Sequence, residues 1–132
     1  MNLVSIPISR TFEAVDGWMP HFLTFARRRN AQHIWQRIHD GEIQIHLVMK
    51  DGASVAAIGT HTYDHEKGRI ADLVWCGGEN IPAILDILPT LEHRLGEQGC
   101  SRIILTGREG WLRLLRPRGY RKAQITLEKA LV

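Results

Sequence analysis

The run ADLVWCGGENIPA, residues 71–83, brings a carboxylate, a thiol and two adjacent glycines up to the start of a helix. Glycines there can turn the backbone so that its N–H groups face an anion, an arrangement that the helix dipole reinforces. Pro82 removes one donor and Glu79 places a negative charge beside the rest. Two adjacent glycines also suit a plain strand-to-helix turn. Strand alternation puts Asp72 on one face with Ile70, Val74 and Cys76. If that face is buried, desolvation raises the carboxyl pKa towards the range a general base needs.

A second set of reactive types is cationic. Residues 100–132 hold eight Lys/Arg against two acids, and residues 1–99 hold nine against twelve. Arg108, Arg113, Arg116 and Arg118 stud a short helical stretch, and Arg121 and Lys122 follow it. Such a surplus suits an anionic partner: a phosphate, a nucleic acid or an acidic protein surface. It equally suits a solvated helix face beside a charged edge strand. Nucleic acid ranks last, because the aromatics fall in apolar stripes rather than among the cations as stacking platforms.

Other chemistries are excluded by spacing. Cys76 and Cys100 have neither metal nor redox spacing and read as small buried hydrophobes in a reducing compartment. His61 and His65 lie four apart across a strand end, and His21, His33, His39, His46 and His93 are scattered, so no metal site is expected. Trp18, Trp35 and Trp111 read as core, while Trp75, beside the glycines, is the tryptophan placed to touch a ligand. MNLVSIPISR lacks the basic start and apolar core of a signal peptide, and no apolar run reaches membrane-spanning length. The expectation is a single cytoplasmic domain over residues 1–132.

The elements that would position these residues follow from periodicity. Residues 3–8 predict an edge strand. Phe12, Val15, Met19, Phe22 and Ala26 form a helical stripe; Pro20 inside it implies a helix that starts near Asp16 or kinks there, ending at Arg27-Arg28-Arg29. Asn30 opens a short helix carrying Ile34, Trp35 and Ile38. Ile43, Ile45, Leu47 and Met49 alternate, Asp51-Gly52 signals a hairpin, and residues 54–63 and 69–76 continue the meander. Ile84, Leu85, Leu88, Leu91 and Leu95 mark a helix that Pro89 should kink or split. Residues 101–106 predict a strand buried on both faces, residues 107–119 a short helix, and residues 120–131 a last strand. The order is β-α-α-β-β-β-α-β-α-β, an α/β fold with a mixed, mostly antiparallel central sheet flanked by helices on both faces.

Four local motifs accompany this order: HDGEIQIHLV at 39–48, EQGCSRIIL at 97–105, Gly107-Arg108 with Gly110-Trp111, and Gly119-Tyr120. Order and motifs together resemble the GNAT N-acetyltransferase superfamily over nearly the whole chain, and above all its small bacteriophage and prophage members. The resemblance implies an acyl-CoA-dependent N-acyltransferase taking acetyl-CoA as co-substrate and passing acetyl to an amine, on a small molecule or a protein. By position, Asp72 falls where some members carry a general base. Trp75, Cys76, Gly77, Gly78 and Asn80 fall in the pyrophosphate loop, and Arg108 and Arg113 within reach of CoA phosphates.

The chain departs from the family pattern in two places. The loop lacks the Arg/Gln of Arg/Gln-x-x-Gly-x-Gly/Ala, and the tyrosine expected as acid is Leu115. The alternative is a GNAT fold without catalysis, serving as a virion-associated or interaction component with a phage or host protein partner, in host cytoplasm or virion. An exposed last strand would also invite a homodimer.

Overall fold

Alternating apolar residues on either side of one tight turn start the sheet. Strands β2 (Gln44–Lys50) and β3 (Ala53–His65) are joined through Asp51 and Gly52, both at positive φ (53° and 78°), as a two-residue hairpin requires. A second tight turn leads from β3 into β4 (Gly68–Gly77), and β1 (Asn2–Ser5) pairs antiparallel with β2. The chain then forms helix α3 (Ile81–Glu97) and returns as β5 (Cys100–Ile104), parallel to β4. The sheet order is β1-β2-β3-β4-β5. Between β1 and β2 lie a 3-10 stretch (Ile8–Ala14) and helices α1 (Val15–Ala26) and α2 (Gln32–His39); helix α4 (Glu109–Leu115) follows β5. This computed structural model describes residues 1–27, 29–107 and 109–131.

Each face of the sheet buries one apolar layer. Val48, Ile58, Ala71 and Leu73 pack beneath Ile84, Ile87, Leu88, Leu91 and Leu95 of α3, with Leu115 of α4 in the same cluster. On the other face Ile45, Leu47, Ala57 and Trp75 meet Trp18 and Phe22 of α1 and Ile38 of α2. The expected mixed α/β architecture with helices on both faces is therefore the observed one.

Four local expectations differ. Phe12 lies in the 3-10 stretch rather than in the first helix, which starts at Val15, beside the expected Asp16. Helix α3 runs unbroken through Pro89, which sits on its exposed side. Residues 120–131 form no strand and are exposed from Arg121 onward, with Leu127 and Leu131 at 89%. Consequently β5 is the edge of the sheet rather than a strand covered on both faces, and its Ser101 and Arg102 are exposed. Alternation in YRKAQITLEKAL satisfies the pattern of a strand, but a ladder needs a partner as well.

One polar row crosses the face covered by α3. Arg94 of α3 donates to Ser5 Oγ at 3.0 Å, and Ser5 Oγ lies 2.7 Å from His46 Nδ1. Both ring nitrogens of His46 are thus engaged, Nδ1 with Ser5 Oγ and Nε2 with Thr60 Oγ1 at 2.8 Å. His46 is 1% exposed; burial first, and the Arg94 charge second, lower its pKa from 6.5 to about 4. The unfolded chain therefore holds a proton between these values that the folded chain refuses. Stability present above pH 6.5 is lost as the pH falls towards 4, by roughly 3 kcal/mol. Urea titrations across this range should show that loss, and His46→Gln should remove it; an equal slope in the variant would contradict the assignment.

Candidate functional site

Strand β5 runs beside only the first half of β4, to its own end at Ile104. Their ladder pairs Arg69 with Cys100, Ile70 with Arg102, Ala71 with Ile103 and Asp72 with Ile104, and there it stops. β4 continues through Leu73, Val74, Trp75, Cys76 and Gly77, still paired with β3 on its other side. Among the described residues, these five have no strand partner on the β5 side. The sheet thus forks at Asp72, leaving a run of β4 edge without a strand on that side, the kind of edge an extended ligand can join as a strand would.

Asp72 stands at the vertex of this fork. It lies opposite His61 of β3, with Ile70 and Ile104 on the same face. Burial raises its carboxyl above the usual carboxylate range, while the charges of Arg37 and His61 pull it partly back. The desolvation expected for this residue is therefore present, although its neighbours differ from those expected. A β-bulge inserts Val74 between the pairs Thr60–Leu73 and Gly59–Trp75. It turns Cys76 to the α3 side, so Asp72 and Cys76 face opposite layers.

At the end of β4 the two glycines are filled by the protein itself. A Cβ on Gly77 would collide with the His21 carbonyl oxygen of α1. On Gly78, at φ 134°, it would come within 2.9 Å of the Val55 carbonyl oxygen and 3.0 Å of Ala56. The start of α3 is also occupied: Asn80 Oδ1 accepts from Ala83 N at 3.1 Å, capping the helix, and Pro82 has no N–H. Of the first-turn donors only Ile81 N–H remains outside these arrangements. Both glycines are thus accounted for by close packing.

The other expected site residues divide between the two layers. Trp75 is 1% exposed, with its ring 5.1 Å from Phe22 and 5.8 Å from Phe25. Its indole serves the core, so only its backbone borders the fork. Its Nε1 has no hydrogen-bond partner and lies over Gly59, where a side chain would collide with it. Burial pushes the Cys76 thiol up to about 11, which leaves it a packing group rather than a nucleophile. Arg113 is exposed on α4, and Arg108 lies outside the described residues. Leu115 is a core residue at 3% exposure; Tyr120 packs against the same cluster and donates to Glu92 Oε2, which with burial raises its pKa. The described residues contain no cluster of three or more metal-ligating side chains, and none of their helices is long and apolar enough to cross a membrane.

Periodicity could not have placed His61 at this site. The register that runs back from the β3–β4 turn brings it opposite Asp72, with Tyr63 stacked on its ring at 5.7 Å.

The forked sheet is the GNAT topology of solved acetyltransferase structures. The chain is similar to a structure described as a "probable acetyltransferase" (TM-score 0.73, 14% identity, 100% of this chain and 98% of that chain covered). It is also similar to a ribosomal-protein-alanine N-acetyltransferase from Brucella melitensis biovar Abortus 2308 (TM-score 0.68, 10% identity, 99% and 100% covered). A third likeness is to a "predicted acetyltransferase" with acetyl-CoA from Clostridium acetobutylicum (TM-score 0.64, 10% identity, 98% and 96% covered). No family model matches the chain, and no curated protein matches it. At these identities the likeness is one of fold, and the chemistry has to be argued from the residues.

The glycine packing is directly testable. Gly77→Ala should cost about 1–3 kcal/mol by overpacking against a backbone oxygen that cannot move aside. Gly110→Ala on α4, whose Cβ would meet nothing within 4 Å, should be neutral or slightly stabilising. Thermal denaturation of the two variants separates the outcomes, and equal melting temperatures would contradict the packing account.

Proposed function

We propose that this chain is an acyl-CoA-dependent N-acyltransferase that passes an acetyl group to a primary amine across the fork between β4 and β5. The fork carries the reading: five residues of unpaired β4 edge begin at a carboxylate whose pKa is raised by burial. Acetyl transfer asks little more of a protein. The ammonium must lose a proton, the thioester carbonyl must be polarised by a backbone N–H, and the thiolate must leave with a proton. Unpaired β4 edge groups can serve the second need, and Asp72 lies at the right end of the fork for the first. The printed descriptions of the similar structures, one of them with acetyl-CoA, support the same chemistry.

In this reading the phosphates lie differently from the family pattern. Asn80 and Pro82 leave the α3 start few donors, so exposed arginines, with Arg113 first among them, compensate for the pyrophosphate charge. Trp75, Cys76, Gly77 and Gly78 contribute backbone edge rather than side-chain contacts. The chain works as one domain in the cytoplasm. By motif the chain resembles the phage-encoded members, and this affiliation rests on the sequence motifs alone.

One observation favours a second reading. The glycines, the helix cap and the Leu115 position are all satisfied internally, as they would be in a GNAT fold kept for interaction with a phage or host protein, or with a second copy, after catalysis was lost. Isothermal titration with acetyl-CoA separates the two: saturable binding supports the transferase, and absence of heat supports the interaction protein. Arg113→Glu should weaken that binding, and unchanged affinity would remove Arg113 from the phosphate site. A base acts only when unprotonated, so transfer should rise with pH through the raised Asp72 pKa. Asp72→Asn should then lower turnover by ~10²–10⁴-fold without loss of acetyl-CoA affinity. Full turnover in that variant would remove Asp72 from the mechanism.

A further inference from the structure

We infer that His61 is the group that takes the proton from the acceptor amine, with Asp72 as its charge partner. This rests on the acyl-transfer reading and reassigns the proton within it. His61 lies directly across the β3–β4 ladder from Asp72, on the same face, so the two side chains stand next to each other at the vertex of the fork.

The histidine is held in one tautomer. Its Nδ1 lies 2.8 Å from the backbone oxygen of Glu42, an oxygen that can only accept, so Nδ1 carries the hydrogen. Nε2 is then the unprotonated nitrogen, and His61 is only partly buried, so an incoming amine can reach it. Tyr63 stacks on the ring at 5.7 Å and 22°, fixing its plane. Anchor, stack and adjacent carboxylate together form the arrangement that orients an imidazole base.

Other charged groups surround the pair. From α2, Arg37 acts on Asp72 and pairs with the Glu42 carboxylate at 3.6 Å. Tyr63 on β3 and Asp72 on β4 complete the titratable neighbours on the strands, and β5 contributes the apolar Ile104. The Arg37 charge favours the ionised form of Asp72.

The step then balances. The ammonium gives a proton to His61 Nε2, and the free amine attacks the thioester carbon, forming C–N. The tetrahedral intermediate collapses with C–S cleavage, and the second nitrogen proton leaves with the departing thiolate. His61 returns its proton to solvent through its partly exposed edge.

His61→Asn tests this, because the asparagine amide can keep the N–H to the Glu42 oxygen while lacking Nε2. The readouts are acetyl transfer from acetyl-CoA to a polyamine and to an alanine-terminated peptide, and the ring ¹⁵N spectrum of the wild-type protein. The variant should fold as wild type, lose at least ~10²-fold in transfer and recover part of it with added imidazole. A wild-type Nε2–H tautomer, or a variant with wild-type rate and pH profile, would overturn the inference while leaving acyl transfer standing. A wild-type protein that transfers to neither amine would overturn acyl transfer and this inference together.

Discussion

The molecule depends on where one hydrogen-bonded ladder stops. Parallel pairing between β4 and β5 ends at Asp72 and Ile104, while β4 continues for five residues with β3 as its only strand neighbour. Backbone polar groups in a sheet need partners, so a strand edge left unpaired inside a fold is costly unless something else uses it. The layers on either side hold the fork in place. The α3–α4 cluster fixes Leu73 and Cys76 from one face, and the aromatic cluster of Trp18, Phe22, Phe25 and Trp75 fixes the other.

The bulge at Val74 gives the fork its chemistry. It lets Trp75 occupy the space above Gly59 and moves Cys76 to the opposite layer. Asp72 stands with His61, Tyr63 and Ile70 on one face in the unshifted part of the ladder. The residue that titrates is thus separated from the thiol that merely packs. Close approach of α1 to Gly77 and of β3 to Gly78 finishes β4 tightly, which explains glycines there without calling on a phosphate. The loop can therefore be required for folding whether or not it touches a ligand.

Much of this architecture was legible in the sequence, because period-two alternation, the Asp51-Gly52 turn and the leucine stripe of α3 each report local geometry. What escaped were features set by register. His46 read as one scattered histidine, yet Ser5, Arg94 and Thr60, distant in sequence, make it a buried neutral link. His61 likewise acquires its neighbour through strand pairing. The alternation of residues 120–131 predicted a strand that has no partner, whereas Trp75, expected at a ligand, is held in the core by Phe25 and by Phe22, which periodicity assigned only to a helix stripe.

The account stands on β4 beyond Asp72 being an edge that receives an extended thioester ligand. Amide chemical-shift mapping during titration with acetyl-CoA tests this most directly. The account predicts perturbations centred on Leu73–Gly78, with smaller ones at His61 and along α4. Perturbations confined to other surfaces, or none at saturating ligand, would contradict it.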